Sequence, residues 1–363
     1  MSSTKVRMVK GPGTVAVDGA CHVLGSDVSG QTITLRTGKA LPFEPAGRCR
    51  LRARLGRGGK MWMADPAAAG TLMWRDVARQ VSALAGGKKV TVMLAGDTDT
   101  GKSTFSAYLA NVALERGLVP CVIDGDIGQG DLAPPASIGA AALSGQVTDL
   151  RDVSASLFEF VGNVSPAGFE RLVANKLRSM LERAGPLGDI CIVNTDGYVR
   201  DAGVLYKLMI AKELQPDAIV CLGGNPALLD ALGDEPWQVL RARPSSQASK
   251  SNSERTSRRL NQFLRHVGNG SSTVELSRVQ FVYMGRLFSP SELSRPPIKQ
   301  LEPENLKRMF LGLGSNDSVI GFGIVTDITK YSMRVRTNID SFDRVYLSNI
   351  RLSRDRAVEI RIN

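Results

Sequence analysis

The 363 residues include only two histidines, His22 and His266, so a histidine-rich metal site is excluded and a Ser-His-Asp triad would have to use one of these two. Cysteine is also scarce. Cys21, Cys49, Cys121, Cys191 and Cys221 are odd in number and far apart, which leaves no CxxC metal pair and no disulfide framework. Three of them sit inside apolar runs, as reduced core thiols do. No apolar run approaches the ~18 residues of a spanning helix, and the first residues, MSSTKVRMVKGPG, lack the apolar core of a signal peptide. A soluble, intracellular protein without a membrane partner is expected. Acid falls short of base, 35 Asp+Glu against 46 Lys+Arg, for a net charge of +11. That surplus suggests an anionic partner, although high basicity is also common in proteins that bind nothing acidic. With 43% hydrophobic and 22% charged residues the composition is that of an ordinary globular chain. At ~150 residues per domain the length predicts two or three domains.

Three zones differ in texture. Residues 1–64 carry short alternating runs broken by glycine, such as Thr14-Val15-Ala16-Val17 and Thr32-Ile33-Thr34-Leu35, which predict a β domain of small antiparallel strands. Within it Arg48, Arg50, Arg52 and Arg54 alternate with Cys49, Leu51, Ala53 and Leu55, placing four cations on one strand face. Both a solvated face that discourages edge pairing and a ligand patch fit that pattern. Residues 65–85 predict a connecting helix. From 86 to 270, β-branched-rich runs at 90–95, 119–123, 190–193 and 218–222 alternate with helical periodicity, as in Phe105, Tyr108, Leu109, Val112 and Ala113. This predicts an α/β fold, a doubly wound parallel sheet. Alternation returns at 332–336 and 345–352, so a second small β domain is expected over 271–363.

Gly96-Asp97-Thr98-Asp99-Thr100-Gly101-Lys102-Ser103, followed by Thr104, fits G-x-x-x-x-G-K-[ST] between a predicted strand and a predicted helix. The two glycines let backbone N–H groups face phosphates, and the helix directs its positive end at the same charge. Lys102 would bridge the terminal phosphates and the Ser103 hydroxyl would ligate Mg²⁺. The second strand ends in Val122-Ile123-Asp124-Gly125-Asp126-Ile127-Gly128-Gln129-Gly130. Asp126 there suits orientation of Mg²⁺ and acceptance of a proton from an incoming hydroxyl, with Asp124 as a support at the strand end. Acidic residues at strand ends are also ordinary turn formers.

Three further segments follow in order: Phe160-Val161-Gly162-Asn163-Val164-Ser165-Pro166, Val193-Asn194-Thr195-Asp196-Gly197-Tyr198-Val199, and Lys250-Ser251 with Arg255 and Arg259. With the phosphate loop and DGDIGQG, they resemble the polynucleotide 5′-hydroxyl kinase family. That family includes the kinase subunit of the eukaryotic pre-mRNA cleavage factor and the kinases of ribosomal-RNA processing. The likeness covers nearly the whole chain, including Gly11-Pro12-Gly13-Thr14-Val15 and Val319-Ile320-Gly321-Phe322-Gly323 in the flanking β domains, and the compact length is similar to archaeal members. It implies ATP- and Mg²⁺-dependent phosphorylation of RNA, and often DNA, 5′-hydroxyl ends. It also implies a lid over about 243–267 carrying Lys250, Arg255 and Arg259, and Tyr198 stacking on a terminal base, with Gln129 among the substrate-binding residues. RNA-processing protein partners follow from it as well, with a cytoplasmic location for an archaeal-like protein and a nuclear one for a eukaryotic protein.

Two positions depart from the family, which usually has Trp in place of Tyr198 and Arg in place of Lys250. The lid itself has support in the residues. Leu260, Phe263, Leu264 and Val267 predict one apolar stripe, with Arg255, Arg258 and Arg259 on the other side and Glu254 a partner for Arg258. Arg255 and Arg259, at i and i+4 with no acid at helical spacing, repel unless an anion lies between them. A solvated basic face and a core or surface role for Tyr198 are the plainer readings. Two other functions fit parts of the sequence: an ATP-bound RNA-processing scaffold with little turnover, and a small-molecule enzyme with a dethiobiotin-synthetase-like loop. RNA or DNA preference, ATP against GTP, and oligomeric state are left open by the sequence.

Overall fold

The computed structural model describes residues 5–67, 69, 71–244, 252–289, 291–292, 299–352 and 357–359, and Lys250 lies outside the described residues. Contacts divide the chain into two compact units, each gathered from separate stretches: Met1–Val122, Ala142–Val153 and Ala184–Ser251, and Ile123–Ala141, Ser154–Arg183 and Asn252–Asn363. The divisions expected from composition follow texture along the chain, whereas these follow contacts through space.

In the first unit, the alternating N-terminal segments form antiparallel strands. Gly13–Val23 pairs with Ala40–Leu55, which pairs with Val6–Lys10, and Lys60–Ala64 closes that side. Val15, Val17, Ile33, Leu35 and Leu51 turn inward while their neighbours face out. The connecting helix is Thr71–Ala83, shorter than the sequence suggested, because Asp65 accepts the Ala67 N–H at 2.8 Å and makes a turn across Pro66. Its Trp74 packs edge-on to Phe105 of the helix Lys102–Glu115, with ring centroids 5.5 Å apart. Asn111 of that second helix donates to the carbonyls of Leu24 and Val147, at 2.8 Å each.

The parallel strands of this unit run in the order Gln238–Ala242, Ala218–Leu222, Val90–Gly96, Ile190–Thr195. Val90–Gly96 therefore has neighbours on both sides, and the loop that follows it leaves the sheet at a switch point, where α/β proteins place ligands. Cys121, Cys191 and Cys221 are buried and all five cysteines are free thiols.

The second unit is largely antiparallel. Ser137–Ala142 pairs with Leu157–Phe160, and Met309–Ser315 lies between Ser318–Ile328 and Arg344–Leu352. Aromatics fill one of its cores, where Phe160, Phe263, Phe310, Phe322 and Tyr346 meet. Phe263 belongs to the helix Asn252–Val267 and stands edge-on to Phe310 at 4.7 Å. The C-terminal half of the helix that carries the arginines is thus fixed by apolar packing.

Candidate nucleotide and polynucleotide site

In the first unit Val90–Gly96 gives way to a loop shaped by two glycines. Gly96 has φ 149°, and a Cβ there would lie 2.3 Å from the Leu222 carbonyl oxygen. Gly101 caps the following helix in the left-handed region, φ 97°, and the first turn of that helix contains no acid. Its positive end is left to a ligand. Lys102 is 6% exposed, and its ammonium donates to the carbonyls of Gly96 and Asp97, both at 2.8 Å. The loop thus holds a buried cation against its own backbone. Asn194 donates to the Ser103 hydroxyl at 3.2 Å, and the Thr195 hydroxyl donates to the Leu94 carbonyl at 2.7 Å.

The turn after Ile190–Thr195 closes on this loop. A Cβ at Gly197 would fall 2.3 Å from Thr98 Oγ1 and 2.7 Å from Thr98 N, so only glycine lets the two backbones meet. Arg200 pairs with Asp97 at 2.8 Å. Burial alone would raise the Asp97 carboxyl, but Arg200, the Thr98 N–H and Lys102 outweigh it and hold it below the usual range.

Beneath the turn, Asp196 Oδ1 accepts from the buried Lys207 ammonium at 2.9 Å and from the Tyr198 N–H at 2.8 Å, while Oδ2 accepts from the Tyr206 hydroxyl at 2.9 Å. Tyr198 itself is half-buried, its ring 5.9 Å from that of Tyr206. Sequence alone gives no role to Asn194, Asp196, Arg200 or Lys207. The available signal was a lysine inside the apolar run Val204-Leu205-Tyr206-Lys207-Leu208-Met209-Ile210, at a core-facing position of the helix Ala202–Leu214.

In the second unit the acidic segment and the arginine helix meet. Asp124 is buried and accepts from the N–H groups of Asp126, Asp131 and Leu132, the strand-end support expected of it. Asp126 is half-buried, and its Oδ1 accepts from Gly128 N–H at 3.1 Å and Gln129 N–H at 2.9 Å. Arg258 donates to Asp131 at 2.5 Å and to the Gln129 carbonyl at 2.9 Å, and Gln262 donates to the carbonyls of Gly130 and Asp131. Arg258 and Gln262 therefore turn inward while Leu264 is 41% exposed, which rotates the buried face away from the apolar stripe read in sequence. Polar atoms of the acidic loop outcompete a leucine for that face because they would otherwise be buried unpaired. Arg255 and Arg259 lie on the same helix, both half-buried. The Gln129 amide has neither its nitrogen nor its oxygen hydrogen-bonded although both are buried, and the Nε atoms of Arg258 and Arg259 share that condition. The nitrogens among them match an anionic ligand, and the Gln129 amide oxygen a group that donates a hydrogen bond.

Among the described residues no cluster of three His, Cys, Asp or Glu has metal-holding geometry. The candidate ligands are one hydroxyl, Ser103, and one carboxylate, Asp126. A single hydroxyl in the first unit and a single carboxylate in the second make no all-protein cage, and each by itself is the kind of hard oxygen that suits a Mg²⁺ arriving with phosphates.

Residues 96–267 match the family model described as the mRNA cleavage and polyadenylation factor CLP1 P-loop. The chain is 30% identical over 270 residues to a polyribonucleotide 5′-hydroxyl-kinase of Pyrococcus horikoshii, covering 73% of each. The corresponding protein of Pyrococcus abyssi is 31% identical over 271 residues, covering 73% of this chain and 75% of its own. The chain belongs to the CLP1 P-loop family. A Xenopus tropicalis member, polyribonucleotide 5′-hydroxyl-kinase Clp1, is 30% identical over 161 residues, 41% of this chain and 36% of its own. The fold of the CLP1 family extends across the molecule. Clp1p, solved in complex with a Pcf11p fragment, superposes with a TM-score of 0.74 over 96% of both chains at 13% identity.

Proposed function

We propose that this CLP1-family protein is a polyribonucleotide 5′-hydroxyl kinase that transfers the γ-phosphoryl group of ATP to the 5′-hydroxyl end of RNA, with DNA ends as a second acceptor. The observation that carries the reading is Lys102: a buried cation in a glycine-shaped loop, at an acid-free helix start, in a chain that matches two kinase-named relatives over 73% of its length.

The 5′-oxygen attacks the γ-phosphorus in line, the bond from the γ-phosphorus to the β,γ-bridging oxygen breaks, and the hydroxyl proton passes to Asp126 as ADP leaves. Asp126 suits that task because the loop N–H groups engage its Oδ1 and fix the direction of the carboxylate. Lys102 holds the terminal phosphates, and Arg255 and Arg259 offset charge on the equatorial oxygens. The Gln129 amide supplies donors and an acceptor to the substrate, and Tyr198 offers a stacking face. Mg²⁺ held by Ser103, Asp126 and the phosphates would neutralise charge on the transferring group.

Incubation with γ-labelled ATP and a 5′-hydroxyl oligoribonucleotide tests the proposal, with label expected on the oligonucleotide. ATP retained without transfer would sink it and leave a nucleotide-bound scaffold. Neither transfer nor retention would remove both.

A further inference from the structure

The arginine run of the N-terminal sheet takes no part in the proposed reaction. Residues 48–60 contain Arg48, Arg50, Arg52, Arg54, Arg57 and Lys60 and no acid. In the strand Ala40–Leu55 the four alternating arginines are exposed, while Leu51 on the opposite face is packed. The register shows what surrounds them. Arg50 is opposite Asp18, Arg52 opposite Ala16 and Arg54 opposite Thr14, and the next strand places Thr32 and Thr34 opposite Ala16 and Thr14. Arg50, Arg52 and Arg54 are therefore set in register beside mostly small side chains, and Arg48 continues the exposed row past an irregularity in the pairing. Asp18 is the one acid of its strand, and it meets Arg52 at 3.7 Å with the two side chains 68% and 69% exposed, too open to neutralise the run.

We infer that this face is a binding track for the sugar-phosphate backbone of a single-stranded polynucleotide. The inference rests on the kinase reading only for whose backbone it is: RNA beyond the nucleotide that is phosphorylated. At ~3.4 Å per residue, alternate side chains stand ~7 Å apart, a repeat commensurate with successive phosphates of an extended strand. Arginine rather than lysine gives each position a planar fork for phosphate oxygens. Like charges lined up on one face repel, a cost that a polyanion removes. Lysine is the charge most used to discourage sheet association at an edge, whereas here each alternate position from 48 to 54 carries arginine. An anionic membrane is a poorer match, since the neighbouring Thr and Ala offer no large apolar side chain for insertion.

The test compares the unmodified protein with the triple variant Arg50→Gln, Arg52→Gln, Arg54→Gln. It measures binding by fluorescence anisotropy and KM by label transfer, for 5′-hydroxyl RNAs of ~4 and ~20 nucleotides. For the longer RNA, the slope of log affinity against log salt is expected to fall by about 2, from ~0.7 per phosphate contact, with affinity down about tenfold. KM for the short RNA and for ATP should not move, and thermal unfolding should superpose. Unchanged long-RNA affinity and slope would overturn the inference, as would equal losses at both lengths. Loss of binding to phosphatidylserine vesicles with RNA binding intact would reassign the face to membranes and overturn it too. If the unmodified protein transfers no label to either RNA, the kinase reading fails, while the anisotropy arm still decides the track.

Discussion

In the proposed reaction one oxygen of the Asp126 carboxylate is structural while the whole group would act chemically. Two loop N–H groups bind Oδ1. Asp126→Asn retains that acceptor, so the loop and ATP binding should persist while kcat falls by ~10²–10⁴, the span of a lost general base. A full-rate Asp126→Asn enzyme in single-turnover transfer would remove the assignment. Tyr198 is separable from it. Tyr198→Ala should weaken oligonucleotide binding by ~1–3 kcal/mol and leave the Kd for ATP unchanged, as titration calorimetry with each ligand would read. At this scale the loop residues 96–104 were legible because phosphate binding restricts both residue type and spacing. Asp196 and Lys207 were not. Their pairing depends on a strand end and a helix face meeting in space, and a lysine in an apolar run gives only the hint that something must neutralise it.

The helix Ala202–Leu214 shows what a buried charge does for an element. Lys207 is 0% exposed and Asp196 almost as buried, so each charge depends on the other being present. Lys207→Met is expected to cost ~3–5 kcal/mol in urea unfolding. The pair Asp196→Asn with Lys207→Met should recover part of that loss, since no charge is then stranded. Equal stability of the single and double variants would contradict the coupling. The helix Asn252–Val267 was legible as a helix, and Phe263 and Val267 as its anchors. Its orientation was not legible, because hydropathy places Leu264 inside, whereas Arg258 and Gln262 satisfy carbonyls and a carboxylate of a loop more than a hundred residues earlier.

The division of the molecule into two units was hidden for a different reason. Strand and helix periodicities report local geometry, and both units draw on the same alternating middle of the chain. The α/β character was legible from that alternation; the exchange of segments between units leaves no mark on composition. A pH dependence of the whole fold is expected from Asp149, which joins the N-terminal sheet to residues 142–153 through Arg36 at 3.4 Å and pairs with Arg151 at 2.6 Å. Burial opposes its charge, yet Lys39 and Arg151 outweigh burial and hold the carboxyl well below its usual range. A depressed carboxyl stabilises the fold above its unfolded pKa of ~3.9, and that contribution is lost as pH falls below it. Acid unfolding followed by circular dichroism should therefore be less steep for Asp149→Asn, which should also be ~1–3 kcal/mol less stable at neutral pH.

The contact of Gly197 with Thr98 has a consequence for inheritance. Every amino acid other than glycine brings a Cβ, and at position 197 that atom would lie within 2.7 Å of the Thr98 backbone. Any single codon change to another residue therefore pushes on the nucleotide loop and on the turn that presents Tyr198 at once. A sequence that keeps this loop and turn in contact is therefore expected to keep glycine at this site for its missing Cβ alone.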